Sequence, residues 1–422
     1  MVKYSVVIPT RDRFAYLNSA IESCLASDRH DIEVIVSING NTTWPEVIKA
    51  YQPINDDRVR YVLTGQLLSM QHNFNFGITQ ARGEYVTTLG DDDALLPSAF
   101  AYADNFFAQC PDYPLCWFRR PYFWPDYEQQ DFSNLKPNTL HCWREISINL
   151  QQSKPVIEAC CTHYIPYHSL PSVYNSFYPV ALLERLRSAQ AELEGIETQR
   201  SIFLRQTQSV DAFTAYASLL FVNSYGLISI PLSLSGISRR SNGMSASKKQ
   251  YGDEVNRYIS ELSSDQANAI MTGPLSDYSS ITVQTYNDFC KAYLAYSSIR
   301  PTSLPSLDCD AIAGGLLDSY IGGEYISQPW CVYEMMRLAV DFDRKEYLAK
   351  LHEISVWYAS EYEQQLESWW KDQRLDESLY SKISEQHLVI NCDAAEVSTA
   401  AQAALLYQKV LEGKLPALSD PN

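Results

Sequence analysis

The first ninety residues alternate short apolar runs with segments whose apolar residues recur every three or four positions. The apolar runs lie at residues 6–8, 32–38, 59–63 and 85–89. Nearly continuous apolar character is expected of parallel strands covered on both faces. Helical spacing appears between the runs, around Leu17, Val47 and Met70, and Gly83 stands where a C-cap would close the third helix. This alternation predicts an α/β fold with a mostly parallel sheet between helices.

The rest of the chain is mixed at first and then helical. Residues 98–107, 180–193 and 210–221 show helical spacing, whereas 117–124 and 226–230 resemble strands. After residue 253 the spacing is helical at 312–321 and 351–369. Asp393 and Glu396 resemble a capping box ahead of a last helix that stops at Gly413. We therefore expect an α/β domain over residues 1–252 and a helical C-terminal domain over residues 253–422.

Charge and composition exclude several functions. The 422-residue chain is 46% hydrophobic and carries a formal net charge of −17. This balance argues against nucleic-acid binding and against adhesion to anionic membranes, both of which need a basic face. No apolar run approaches the ~18 residues of a membrane span, and no signal peptide is evident at the start. The ten cysteines include no C-x-x-C pair, which is typical of reduced thiols. We expect a cytoplasmic protein with at most peripheral membrane contact.

Asp91, Asp92 and Asp93 form the most distinctive polar stretch. They follow the apolar run at 85–89 and precede a helix that begins after Pro97. In open α/β sheets this carboxyl-terminal edge of the strands is where ligands bind. Three adjacent carboxylates suit Mn²⁺ or Mg²⁺, which share their coordination shell with substrate phosphates. The alternative interpretation is an acidic turn in contact with water.

Several common motifs are absent from the sequence. G-x-G-x-x-G does not follow the first strand, and there is no P-loop, no H-E-x-x-H and no G-x-S-x-G. Four other stretches occur in order: V-I-P-T-R-D-R from Val7, V-I-V-S-I-N-G-N from Val34, N-F-G-I-T-Q-A-R-G-E-Y-V from Asn75 and L-G-D-D-D-A-L-L-P from Leu89. Together they resemble the GT-A fold glycosyltransferases of family 2, strongly over residues 1–110 and loosely over 110–245.

The resemblance implies an inverting glycosyltransferase. Such an enzyme moves a hexose from a nucleotide diphosphate sugar to a carbohydrate or lipid-linked saccharide acceptor, with Mn²⁺ or Mg²⁺ as cofactor. UDP-sugars are the favoured donors, GDP-sugars come next, and polysaccharide biosynthesis is the expected context. Residues 1–110 would form the nucleotide-sugar half and residues 111–252 the acceptor half. The implied donor-binding residues are Pro9, Thr10, Arg11, Asn39, Arg82, Asp91, Arg239 and Arg240.

The resemblance also assigns a metal site and a base. Asp92 and Asp93 would hold the metal, and Asp211 at a helix start would be the general base. Two positions depart from the family pattern: Asn39 stands where an Asp usually reads the base, and Gly90 replaces the first acid of the D-x-D motif. An amide both donates and accepts hydrogen bonds, which leaves the identity of the base open.

Other interpretations of the same residues stay open. Asp211 could be a simple N-cap, with Glu197 and Glu158 as the other candidates for the base. Arg13 could pair with a carboxylate, and the basic residues around Arg239 could form a solvated loop. The chain could also be a sugar-1-phosphate nucleotidyltransferase, or a non-catalytic scaffold subunit of GT-A type.

Overall fold

The structure is a computed structural model that describes residues 1–117, 122–123, 139–196, 200–236, 272–278, 281–299, 305–322, 331–360, 380–384, 387–392 and 395–414. The strands are β1 Tyr4–Thr10, β2 Ile32–Ile38, β3 Val59–Leu63, β4 Tyr85–Thr88, β5 Ala94–Leu95, β6 Leu115–Trp117, β7 Tyr122–Phe123, β8 Thr139–Trp143, β9 Ile148–Gln152, β10 Ser176–Pro179, β11 Ser224–Ile228, β12 Ser233–Gly236, β13 Tyr380–Ser384 and β14 His387–Asn391. The helices are α1 Phe14–Leu25, α2 Trp44–Ala50, α3 Met70–Thr79, α4 Ala99–Phe107, α5 Ser153–Cys160, α6 Val180–Glu194, α7 Val210–Leu219, α8 Ile281–Ile299, α9 Cys309–Ile321, α10 Cys331–Asp341, α11 Leu348–Ser360 and α12 Ala400–Leu411.

An eight-stranded mixed sheet forms the centre of the fold, in the order β3-β2-β1-β4-β10-β6-β11-β9. The first four of these strands are parallel, and β10 joins β4 in the antiparallel sense. The predicted α/β class is confirmed. Because β1 and β4 are adjacent and parallel, their carboxyl ends meet at one edge of the sheet.

Both faces of the sheet are covered by apolar side chains. Tyr4, Val6 and Ile8 of β1 contribute to a core with α1 and α4, whereas Val7 points to the opposite core with α3, α6 and α7. This alternation follows from the two-residue period of a strand. It explains why β1 and β2 are buried at every position.

Two predicted helix ends were placed wrongly. Helix α3 ends at Thr79, and Gly83 does not close it. Gly83 instead packs against β1, where an added Cβ would lie 2.8 Å from the nitrogen of Ser5. The last helix is capped by Thr399 and Gln402 rather than by Asp393 and Glu396. Gly413 follows its end at a φ of 73°.

The helices after residue 280 pack on the sheet domain. Tyr286 and Phe289 of α8 lie against Tyr216 of α7, with ring centroids 5.7 and 5.2 Å apart. Helix α12 lies against α1, where the backbone nitrogen of Ala401 donates to Ser19 at 3.0 Å. The C-terminal part is helical as predicted, but it also contributes the hairpin β13–β14, which pairs with β8.

The boundary predicted after residue 252 remains a prediction, because that residue lies outside the described ranges. One apolar cluster contains residues from α5 and α7 together with residues from α8, α9 and α10. The predicted helix at 351–369 is described only as far as Ser360, within α11. Across the described ranges, no helix combines the length and apolar composition that crossing a bilayer requires.

Candidate active site

The three aspartates lie in a turn at the carboxyl end of β4, here called the acid turn (residues 90–93). The turn connects β4 to the short strand β5, and α4 begins after it. All three side chains are buried, with 3%, 8% and 5% of Asp91, Asp92 and Asp93 exposed. The solvated acidic turn that the sequence left open is therefore not what the structure shows.

Asp93 holds the acid turn together. Its carboxylate accepts hydrogen bonds from the backbone nitrogens of Gly90 at 3.1 Å and Gly236 at 2.9 Å. An added Cβ on Gly90 would lie 2.8 Å from this carboxylate. On Gly236 it would lie 1.5 Å from the carbonyl oxygen of Asp92. Glycine at both positions is therefore required by the packing of the turn itself.

Arg13 lies between the other two carboxylates. Its Nη2 atom is 3.1 Å from Oδ1 of Asp91 and also contacts Oδ2 of Asp92. Thr10 donates to the second oxygen of Asp91 at 2.6 Å. Asp12, which lies between Thr10 and Arg13 in the sequence, has a φ of 54°. A side-chain-bearing residue seldom adopts this conformation outside tight turns and functional loops.

Burial and charge oppose each other in this cluster. Burial raises the pKa of Asp91 to about 7, while the charge of Arg13 and the hydrogen bond from Thr10 act in the other direction. Burial disfavours the charge on Arg13, but Asp91 and Asp92 outweigh it and raise the pKa of the guanidinium. Tyr174 contributes to the same effect. Arg13 thus balances part of the negative charge of these closely spaced carboxylates.

Val173 connects the acid turn to α7. Its carbonyl oxygen accepts from the nitrogen and the hydroxyl of Thr88 at 3.0 and 2.8 Å. Its nitrogen donates to the hydroxyl of Thr214 at 3.1 Å. Thr88 precedes Asp91 by three residues, and Thr214 follows Asp211 by three. Val173 therefore links the end of β4, just before the acid turn, to the first half of α7.

Asp211 is the second residue of α7 rather than its N-cap, which is Ser209. Its Oδ2 atom accepts from the hydroxyl of Tyr167 at 3.0 Å, and Oδ1 accepts from the nitrogen of Ala212 at 3.0 Å. Tyr167 begins a short 3₁₀ helix, Tyr167–Ser169, that also carries His168, and the centroids of the two rings are 4.2 Å apart. Asp211 is half-buried, so its carboxylate is both positioned and accessible.

Two residues of α8, in the C-terminal part of the chain, bind the backbone just before α7. The carboxylate of Asp288 in α8 accepts from the nitrogens of Gln208 at 3.2 Å and Ser209 at 2.7 Å. Lys291 lies 3.5 Å from the same carboxylate and donates to the carbonyl of Gln206 at 3.1 Å. Burial raises the pKa of Asp288 to about 6, opposed by Lys291 and by the two backbone donors.

Asn39 makes a two-way pair with the backbone of Leu68. Its amide nitrogen donates to the Leu68 carbonyl, and its amide oxygen accepts from the Leu68 nitrogen, both at 2.8 Å. A carboxylate could accept but not donate here. Asn39, which stands where the family usually has Asp, therefore links the carboxyl end of β2 to the loop after β3 through these two hydrogen bonds.

The remaining predicted residues are distributed as follows. Pro9 lies in β1 beside Thr10, and Arg11 is half-buried just after that strand. Arg82 is not brought to the acid turn: its backbone nitrogen donates to Glu33 at 2.7 Å, at the amino end of the sheet. It lies there because it precedes β4, whereas the aspartates follow it. Arg239, Arg240 and Glu197 lie outside the described residues.

Of the other two candidates for the base, Glu158 lies within the described residues, where it forms an exposed ion pair with Lys154 at 3.7 Å. Trp117 is buried in the core and donates to Ser233 at 2.9 Å. The sequence did not reveal the contacts of Tyr167 and Asp288, because their partners are 44 and 79 residues away.

Asp91 and Asp92 offer a position suited to a divalent cation. One nitrogen of Arg13 reaches both carboxylates, so their oxygens converge on a single point. Carboxylate oxygens are the donors that Mg²⁺ and Mn²⁺ prefer. Among the described residues, no group of three or more His, Cys, Asp or Glu side chains could hold a metal. Further ligands would therefore have to come from water or from a bound diphosphate.

Residues 5–161 match the family model described as Glycosyl transferase family 2. A GalNAc(5)-diNAcBac-PP-undecaprenol beta-1,3-glucosyltransferase of Campylobacter jejuni is 37% identical over 102 residues, which cover 24% of this chain and 33% of that protein. An uncharacterized glycosyltransferase of Haemophilus influenzae is 30% identical over 110 residues, covering 25% of this chain and 42% of that protein. The chain thus spans less than half the length of these curated relatives.

Among solved structures, S. aureus TarS 1-349 aligns with 92% of this chain and 96% of its own, at 14% identity and a TM-score of 0.40. The family match covers the strands β1 to β4, the acid turn and the segment that follows it as far as Cys161. The four motifs that suggested the family all lie within it. Residues 5–161 of this chain are therefore similar to glycosyl transferase family 2, and within the described ranges they form the larger part of the α/β sheet.

Proposed function

We propose that this protein transfers a hexose from a nucleotide diphosphate sugar to a carbohydrate or lipid-linked saccharide acceptor, with inversion at the anomeric carbon. The observation that carries the proposal is the acid turn: two buried carboxylates converge on one cation position and are tied through Val173 to the helix of Asp211. UDP-sugars are the favoured donors, followed by GDP-sugars. The lipid-linked acceptor is supported by the name of the Campylobacter jejuni relative.

Asp92 and Asp91 would hold Mn²⁺ or Mg²⁺, and Asp93 would keep the turn in shape. A bound divalent cation would act as a Lewis acid that offsets the charge developing on the departing diphosphate. Thr10 and Asp91, together with Pro9, Arg11 and Asn39 at the ends of β1 and β2, would line the donor site. Arg239 and Arg240 follow Gly236 by three and four residues, and Gly236 is bonded to Asp93. We therefore keep both arginines as candidates for binding the diphosphate.

Asp211 would act as the general base. The acceptor hydroxyl oxygen forms a bond to the anomeric carbon while its proton passes to the Asp211 carboxylate. The bond between the anomeric carbon and the diphosphate oxygen breaks, and the electron pair leaves with the diphosphate. Tyr167 holds one carboxylate oxygen of Asp211 in place. The position of Asp211 in the first turn of α7 favours its ionised form, because the helix dipole is positive there.

The test begins with the donor. Thermal unfolding of the full chain would be followed with UDP, GDP, CDP and dTDP, each with and without Mn²⁺, since a ligand that binds the folded state raises the unfolding temperature. Sugar nucleotides carrying the base that binds would then be assayed for transfer. A shift with one nucleotide and release of that nucleotide from its sugar donor are expected. Binding without any release across the sugar panel would favour a scaffold role.

Asp92→Ala should abolish Mn²⁺-dependent nucleotide binding without unfolding the protein. Arg13 keeps its ion pair with Asp91 in this variant, so the buried charges remain balanced. Calorimetry with UDP and Mn²⁺ should show at least a tenfold loss of affinity, because even the loss of a residue that only orients a metal ligand typically costs about 10–100-fold. Asp112→Ala, at an exposed position, is the matched control and should bind normally. Wild-type affinity in Asp92→Ala would contradict the proposed metal site.

A further inference from the structure

Arg13 lies at the point on which the carboxylates of Asp91 and Asp92 converge. Its Nη2 atom lies 3.1 Å from Asp91 and contacts Asp92, so the guanidinium is the cation on which both carboxylates converge. A metal ion bound to the same two oxygens could not share this position with the guanidinium. The two cations are therefore mutually exclusive at the acid turn.

The surroundings of Arg13 are built for such an exchange. Its side chain is 17% exposed, so solvent reaches it, whereas those of Asp91 and Asp92 are 4% and 8% exposed. Thr10 continues to hold Asp91, and the two glycine nitrogens continue to hold Asp93, whether or not Arg13 is present. The acid turn can thus keep its shape when Arg13 leaves.

The charges also favour an exchange that is coupled to the donor. Asp91 and Asp92 carry up to two negative charges, and Arg13 brings one positive charge to them. A divalent cation balances them better, and the released Arg13 would meet an incoming diphosphate. A guanidinium binds phosphate oxygens through two parallel N–H donors.

We propose that Arg13 is an internal counter-ion that Mn²⁺ or Mg²⁺ displaces from Asp91 and Asp92, and that the released guanidinium then binds the donor diphosphate. This inference rests on the proposed function. It explains how buried carboxylates are kept stable in the metal-free protein. It also makes metal and donor bind cooperatively, because each of them takes over one partner of the Arg13–carboxylate contact.

The test measures Mn²⁺ binding to the full chain without nucleotide, by calorimetry or by the electron paramagnetic resonance signal of free Mn²⁺. Arg13→Met removes the competing charge and should bind Mn²⁺ about tenfold more tightly than wild type, a coupling of ordinary size. Arg13→Gln keeps hydrogen-bond donors and should also bind Mn²⁺ about tenfold more tightly than wild type. It replaces Arg13→Met in the test if the Met variant does not fold. Arg13→Lys keeps the charge and should stay near wild type.

The second measurement is UDP affinity at saturating Mn²⁺, with GDP in a parallel series. Here Arg13→Met should bind the nucleotide about tenfold more weakly than wild type, because the diphosphate loses its guanidinium. Arg29→Met is the matched control: Arg29 also bridges two carboxylates, Asp31 and Asp104, but away from the acid turn. Arg29→Met should change neither the Mn²⁺ affinity nor the UDP affinity.

Each outcome has one meaning. If wild type binds Mn²⁺ with UDP but Arg13→Met binds Mn²⁺ alone no more tightly, the counter-ion inference is wrong and the proposed function stands. Unchanged UDP affinity in Arg13→Met would likewise overturn it. If wild type binds no Mn²⁺ even with nucleotide, both the proposed metal site and this inference fail.

Discussion

At the scale of single residues, the candidate site is defined by which hydrogen bonds a side chain can make. Asn39 shows this best, because its amide donates to and accepts from the same residue, Leu68. The sequence alone presented Asn39 as a substitute for a base-reading Asp. The structure shows that its amide group already serves the loop after β3, and that an Asp could not make both contacts.

Asn39→Asp should therefore destabilise the protein. The carboxylate loses the bond to the Leu68 carbonyl and faces that oxygen with a negative charge. The free energy of unfolding should fall by about 1–3 kcal/mol, the cost of leaving a buried polar group without its partner. Urea unfolding measures the change. Asn149→Asp, on the exposed strand β9, is the control and should change stability by less than about 0.5 kcal/mol. Equal stability of the two variants would contradict this account.

At the scale of elements, α7 carries the proposed base, Asp211. The start of α7 is held by Tyr167 and by Asp288 of α8. Asp211→Asn keeps the size of the side chain and its bond to Tyr167 but cannot take up a proton. Transfer should fall by roughly 10²–10⁴, the usual contribution of a general base. Donor and metal binding should stay at wild-type levels. Steady-state kinetics and calorimetry on the same preparation separate the two effects. Near-native transfer would return the search for the base to Glu158 and Glu197.

The pair Asp288–Lys291 makes stability depend on pH. Because the folded pKa of Asp288 is about 6 and its usual value is 3.8, the folded state binds this proton more tightly. Its contribution to stability is full below about pH 4 and is lost as pH rises through 6. The free energy of unfolding of wild type, relative to Asp288→Asn, should fall by about 3 kcal/mol between pH 4 and pH 8. Urea titrations across this range measure it, and a difference that rises with pH would refute it.

The elements that the sequence predicted best are those with a local signal. Strands β2 and β3 have the predicted bounds, because each is a mainly apolar run between polar residues. The aspartates could likewise be placed at a strand end. The bond between Asp93 and Gly236 spans 143 residues, and the pairing of β5 with β12 is of the same kind. Contacts between residues so far apart in the sequence arise from packing and produce no periodic pattern. Neither the hydrogen bond from Gly236 to Asp93 nor the pairing of β5 with β12 could therefore be predicted.

At the scale of the whole molecule, the core crosses the boundary that the sequence suggested. Tyr216 of α7 packs on Tyr286 and Phe289 of α8, and the hydroxyl of Tyr286 donates to the carbonyl of Cys160. Gly315 of α9 packs closely against Tyr164, because an added Cβ would lie 2.7 Å from the backbone nitrogen of Tyr164. Tyr164 lies three residues before Tyr167 in the same segment. The C-terminal helices therefore support the segment that positions Asp211.

A fragment ending at Gly252 should not fold independently. Removing α8, α9 and α10 exposes the apolar face of α7 and leaves Ser209 without the carboxylate of Asp288. Circular dichroism with urea titration should show no cooperative transition, whereas the full chain unfolds cooperatively. Co-expression with residues 253–422 should restore it. A fragment that unfolds cooperatively on its own would mean that the boundary separates two independent domains.

Helix α12 also has a consequence for synthesis. It contacts α1 and β5, and the bond from Ala401 to Ser19 joins residues 382 positions apart. At ~5–20 residues per second, translation of the roughly 300 residues between the acid turn and α12 takes about 15–60 s. During that interval the apolar surfaces of β5 and β8 that α12 covers have no native partner. The native packing of these surfaces can therefore be completed only after helix α12 has left the ribosome.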